Sequence, residues 1–182
     1  MNSSPSHVAI LVPSVRRAAD YFRQLGLDVE EEEVFPETRE IYVHGSERNA
    51  LLLMEARDTG SYRRAMEKRG PGIHHLAIDV LDLDGFLNSI SGSGWLLHLN
   101  SLNTIKDNRT AYLARPGFPA LIEVQERKVL MEGPLFVDGV SLNFDAGLAG
   151  LVKSVGLDQT LKSARSPSLS IRGKTIELER LY

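Results

Sequence analysis

His7, His75 and Glu123 stand out by type and setting. His7 opens the apolar run His7-Val8-Ala9-Ile10-Leu11-Val12, His75 opens His75-Leu76-Ala77-Ile78-Asp79-Val80, and Glu123 interrupts Ala120-Leu121-Ile122-Glu123-Val124. All three runs read as β-strands, in which successive side chains point to opposite faces. His7, Ala9 and Leu11 then share a face of one strand, and His75, Ala77 and Asp79 share a face of another. A carboxylate among apolar strand residues is costly to bury unless it is paired or binds a cation. Two imidazoles and one carboxylate form the 2-His-1-carboxylate donor set of a first-row divalent metal. Wide spacing is no obstacle, because strand residues converge through a sheet. With three protein ligands, positions stay open for water or substrate, as Lewis-acid catalysis requires.

The elements that must position these residues repeat along the chain. With His7 set over His75, an offset of 68 residues, the two halves run together. Ser14 falls over Asp82, both good helix N-caps. Val15, Ala18, Ala19 and Phe22 fall over Leu83, Phe86, Leu87 and Ile90, each set one apolar stripe of an amphipathic helix. Gly26 falls over Gly94, a residue type that ends helices. Strand-like sequence follows each helix: LDVEEEEV, REIYVHG and ALLLMEA in the first half, WLLHLN, RTAYLARP and ALIEVQE in the second. The expected fold is α+β, with two βαβββ modules forming a cleft between antiparallel sheets. Residues 1–57 make the first module, 58–72 a helical connector, 73–126 the second module and 127–182 a C-terminal extension. In the extension FVDGVSLNF reads as a strand, FDAGLAGLVKSVGL as a helix and SLSIRGKTIELERLY as a hairpin turning at RGK. His44, His74 and His98 read as ordinary polar residues, and Glu30 to Glu33 as a solvated edge.

Composition narrows the class. The chain has 182 residues, 42% of them hydrophobic and 25% charged, which is the balance of a globular protein. No apolar run approaches the roughly 20 residues of a membrane span, and MNSSPSHVAILV lacks the basic start and cleavage site of a signal peptide. There is no cysteine, hence no disulfide and no thiolate metal site. These features fit a cytoplasmic protein. The net charge of −3 and the scattered Arg and Lys residues argue against nucleic acid as a partner.

HVAILVPSVRRAADYFRQLGL, the loop VFPETRE, GPGIHHLAIDV and ALIEVQE follow one another in the order found in the vicinal-oxygen-chelate superfamily, which has the glyoxalase fold. Within it, the sequence most resembles methylmalonyl-CoA epimerase, over about residues 6 to 126. The resemblance implies a divalent metal ion (cobalt, manganese, nickel, zinc or iron) held by His7, His75 and Glu123. The family's remaining ligand, a Gln or Glu, maps onto Leu52, a departure that the internal repeat also shows, because Leu52 lies over Glu123. Glu37 matches a catalytic Glu of the epimerases, and Glu123 matches their metal-proximal acid/base. The implied activity is metal-dependent isomerase or lyase chemistry next to a carbonyl, on a small-molecule substrate such as an acyl thioester, in a homodimer. Two other activities of the superfamily compete: an extradiol-type iron dioxygenase, which uses His, His and Glu, and a non-catalytic small-molecule binder.

Overall fold

The computed structural model describes residues 3–182. The first module runs β1 (Ser3–Leu11), α1 (Val15–Gln24), β2 (Asp28–Val29), β3 (Glu33–Val34), β4 (Thr38–His44) and β5 (Ala50–Ala56). Helix α2 (Ser61–Arg69) connects it to the second module, made of β6 (Gly72–Val80), α3 (Leu83–Ile90), β7 (Leu96–Leu97), α4 (Ser101–Asn108), β8 (Thr110–Ala114) and β9 (Leu121–Glu126). The extension supplies β10 (Val137–Leu142), α5 (Ala149–Ser154), β11 (Leu161–Ser163), β12 (Ser168–Ile171) and β13 (Lys174–Glu177).

The helix signals act as read. Ser14 accepts a hydrogen bond from the Arg17 amide and Asp82 from the Gly85 amide, so each caps its helix. Gly26 takes φ +75° just past α1. After α3 that conformation falls first on Gly92, at φ +77°, so the helix ends ahead of Gly94. The glutamate run interrupts its strand, leaving β2 and β3 as two short pieces along β4. Glu32 is not a solvated residue: it accepts from Arg16 at 2.5 Å and Arg39 at 2.7 Å, tying α1 to β4.

The two module sheets are continuous with each other. They join edge to edge through antiparallel β1–β6 pairing into one nine-stranded sheet, ordered β2-β4-β5-β1-β6-β9-β8-β7 with β3 beside β4. Within each module the first strand lies parallel to the last, β1 with β5 and β6 with β9, while the remaining pairs are antiparallel. On one face, here the outer one, Val8, Ile10, Leu76 and Ile78 pack with the stripes of α1 and α3. The extension forms a second sheet, β11-β10-β12-β13, whose Val137, Val140, Leu161 and Leu169 belong to that same core. It is fastened by Asn49, whose side chain bonds both the amide and the carbonyl of Val137, and by the Trp95 indole N–H to the Leu151 carbonyl.

The inner face lies opposite that core. Over the first module it is roofed by α2: Ala9, Leu11, Leu52 and Met54 pack against Tyr62, Ala65 and Met66 in a small second core. Helix α2 begins where Glu37, from the turn before β4, accepts hydrogen bonds from the Ser61 amide at 2.8 Å and hydroxyl at 2.7 Å.

Candidate metal centre

His7 and His75 come from the two strands that join the modules, and Glu123 comes from β9, the next strand along. Register brings them together. His7 pairs with Ala77, which pairs in turn with Glu123, while His75 sits opposite Ala9. The two small side chains between the larger ones leave room for the rings to converge. Two irregularities in the β1–β6 ladder, at Pro5/His7 and at Ala9/Ile10, set the facing. At the second, Ala9 pairs with His75 but Ile10 pairs with Ile73, so His74 is an extra, unpaired residue. Such a bulge re-aims side chains. It sends Ile73 into the outer core, while His75 and His74 both reach the inner face.

The result is a tight triangle. His7 Nε2 lies 3.1 Å from His75 Nε2, and Glu123 Oε2 lies 3.4 Å from the first and 3.0 Å from the second. All three residues are buried, and they form a group able to hold a metal ion. Donor atoms bound at about 2.0–2.2 Å to one ion lie roughly 3 Å apart, so the triangle matches the edges of a coordination shell. Glu123 Oε1 is held from the other side, by the Tyr112 hydroxyl at 3.1 Å and the Gln125 amide at 2.9 Å. Burial alone would push the Glu123 carboxyl up, but the hydrogen bonds from His7 and His75 outweigh it and hold the group below the usual carboxylate range. Burial lowers His75, against the opposing pull of Glu123. An ionised carboxylate beside a neutral imidazole is the protonation state that a metal takes up. Burial and then the Glu123 charge push the Tyr112 phenol up, so Tyr112 stays a donor.

Beside the triangle lies a cavity of about 480 Å³, bounded by α2 and α4 and lined among others by Glu37, Tyr62, Arg69, His74, His98 and Tyr112. Tyr112 borders both cavity and triangle. Glu37 is thus brought to the chamber wall, not into the triangle. Its pKa is lowered, chiefly by the Ser61 hydroxyl and then by the Ser61 amide. Leu52 is buried in the second core under α2, and hydrophobic packing replaces a fourth ligand there. Sequence reasoning missed His98 and His74, both of which line the chamber. His98 has no counterpart in the repeat and precedes a helix that the pattern did not announce. His74 escaped because strict alternation places it on the outer face.

The profile of the Glyoxalase/Bleomycin resistance protein/Dioxygenase superfamily matches residues 6–112, more than half of the chain, and the protein belongs to that superfamily. Among solved structures it resembles hypothetical protein BH1468 from Bacillus halodurans C-125, at 22% identity and TM-score 0.60, over 73% of this chain and 100% of that one. Methylmalonyl-CoA epimerase from Mycobacterium tuberculosis is 24% identical with TM-score 0.54, over 67% of this chain and 86% of that one. A variant of the Streptomyces coelicolor methylmalonyl-CoA epimerase, in complex with 2-nitronate-propionyl-CoA, is 19% identical with TM-score 0.53, over 66% and 96%. At these identities the likeness establishes the fold. No curated protein sequence matches significantly. Among the described residues, no helix is long and apolar enough to cross a membrane.

Proposed function

We propose that the protein is a metal-dependent isomerase or lyase acting on a small carbonyl compound, such as an acyl thioester, by proton transfer at the carbon next to the carbonyl. The observation that carries this reading is the buried triangle of His7, His75 and Glu123, with ligand-atom spacings of 3.0 to 3.4 Å, joined through Tyr112 to a chamber lined with hydrogen-bonding side chains. A divalent ion held there would act as a Lewis acid, acidifying that carbon and stabilising the enolate. The chain's own groups have separable roles. Tyr112 and Gln125 hold the Glu123 carboxylate from behind, leaving Oε2 directed at both rings. Arg69, on the chamber wall, offers a cation to an acidic group of the substrate. Glu37, a residue of the chamber wall whose Oε2 is held by Ser61, takes the proton from the carbon and is the group that returns it. A base with a lowered pKa suits a carbon already acidified by a cation. α2 and α4 wall the chamber on two sides.

A second reading, an extradiol-type iron dioxygenase, is favoured by Leu52. Its burial in the second core leaves three protein ligands, the number in the 2-His-1-carboxylate sites of non-haem iron oxygenases. Metal analysis of the purified protein, combined with oxygen uptake in the presence of a catechol, separates the two. Cobalt, manganese, nickel or zinc, no oxygen uptake, and solvent deuterium entering the carbon next to a thioester carbonyl are expected. Iron with catechol-dependent oxygen uptake would replace the first reading by the second. An absence of metal uptake would overturn both.

A further inference from the structure

The β-bulge in β6 does more than aim His75. It leaves His74 without a ladder partner and turns its ring inward, so that Nδ1 of His74 lies 3.0 Å from Nδ1 of His75. The His74 ring is fixed from its other side by Tyr62, with ring centroids 4.9 Å apart and planes 36° from parallel. The two histidine rings meet almost at right angles, at 80°. Two nitrogens at this distance must share one proton, and its location decides which nitrogen of His75 carries a lone pair.

We propose that His74 is a positioning residue for the metal centre: when an ion is bound it accepts the Nδ1–H of His75, fixing the ring's orientation and the tautomer that frees Nε2 for the ion in place of its bond to Glu123. The role rests on the metal-binding reading above. It also accounts for the bulge, since regular pairing would have turned His74 away from the site. Metal-ligating histidines commonly donate their outer N–H to a carboxylate, carbonyl or water, and losing that partner typically costs about 10–100-fold in affinity. In this protein a second imidazole stands in that place. Because His74 also lines the 480 Å³ chamber, the same ring joins the wall that meets the substrate to the ligand that meets the ion.

The test compares wild type, His74→Phe, which keeps a ring against Tyr62 and loses both nitrogens, and His74→Asn, whose carbonyl oxygen can accept from His75. Zinc affinity is measured by competition with a chelator. The zinc-loaded proteins are examined by long-range proton–nitrogen NMR for a downfield proton on His75 Nδ1, and the metal-free proteins by thermal melting. The expected result for His74→Phe is a zinc affinity 10- to 100-fold lower and loss of the downfield proton, with a metal-free melt close to wild type. His74→Asn should recover most of the affinity. Unchanged affinity in His74→Phe, or a wild-type His75 carrying its proton on Nε2, would overturn the proposal while leaving the metal centre standing. A wild type that takes up no zinc or other divalent ion would overturn the metal centre itself, and the positioning role with it. If His74→Phe melts low, His74→Asn decides: affinity as low as that of the Phe variant counts against the role.

Discussion

Glu123 and Leu52 occupy equivalent places in the two halves and have opposite fates. Glu123 is tolerated in a buried strand because four side chains satisfy its two oxygens. Glu123→Gln should keep the Tyr112 contact and the fold while removing the anionic ligand. Its metal uptake is expected to fall below detection at a metal concentration that saturates wild type, with a melting temperature close to that of the metal-free parent. Leu52 faces the same inner side but packs with Ala9, Leu11 and Met54. Leu52→Glu places a carboxylate in that second core, and leaving it unpaired should cost more than the roughly 1–3 kcal/mol of an unpaired neutral polar group. Divalent metal should restore part of the lost stability if the new carboxylate reaches the triangle, because binding only to the folded state raises its stability. Melts with and without zinc read both effects; a destabilised variant that zinc does not rescue would show that α2 packing keeps residue 52 away from the ion. The His7–His75–Glu123 group was legible in the sequence because the repeat doubled the histidine signal and Glu123 broke an apolar strand. His74 was not, because a bulge is a local departure from the alternation by which faces are assigned.

At the scale of elements, α2 is the part of the fold that covers the inner face of the first module. None of its side chains is fully buried, and it rests on Tyr62, Ala65 and Met66 and on the bond from Glu37 to its first turn. A carboxylate at a helix N-terminus satisfies free amides and complements the helix dipole. Glu37→Ala should therefore loosen α2, at a cost of about 0.5–2 kcal/mol, the usual range for losing an N-cap. The pH dependence follows from the lowered Glu37 pKa. A carboxyl held below its ordinary value stabilises the folded state most above that ordinary value, and the contribution is lost as pH falls through the folded-state pKa. Wild type should thus lose protection of the α2 amides to hydrogen exchange on acidification below about pH 4.5, while Glu37→Ala, already loosened, should show little further change. If both lose protection in parallel, Glu37 is not what anchors the helix. α2 was legible as a helix from DTGSYRRAMEKRG, but its docking on the inner face was not, because Tyr62, Ala65 and Met66 make only a weak stripe among charges. Helix α4 left still less trace, since SLNTIKDN has neither a strong stripe nor a side-chain cap.

For the whole molecule, the decisive fact is that residues 127–182 are not an appendage. The two modules with α1 and α3 could be read from the repeat, but the extension repeats nothing, and its place depends on contacts far apart in sequence. Its sheet shares one apolar core with the outer face of the β1–β6 seam: Val137, Val140 and Leu161 lie with Val8 and Leu76 around a gap of only about 20 Å³. The seam is also where His7 and His75 originate, so whatever supports its outer face holds these candidate ligands on its inner face. Truncation after Glu126 would uncover Val8, Leu76 and their neighbours, and remove the bonds that Asn49, Ser3 and Trp95 make to the extension. Each fully buried large aliphatic side chain contributes about 1.5–3 kcal/mol, so uncovering several exceeds the roughly 5–15 kcal/mol that separates a typical native state from its unfolded ensemble. The truncated chain is therefore expected to aggregate, or to bind a hydrophobic dye while lacking a cooperative melt, and to take up no zinc. A truncated protein that melts cooperatively and loads zinc like the full chain would show that the two modules support the centre without the second sheet.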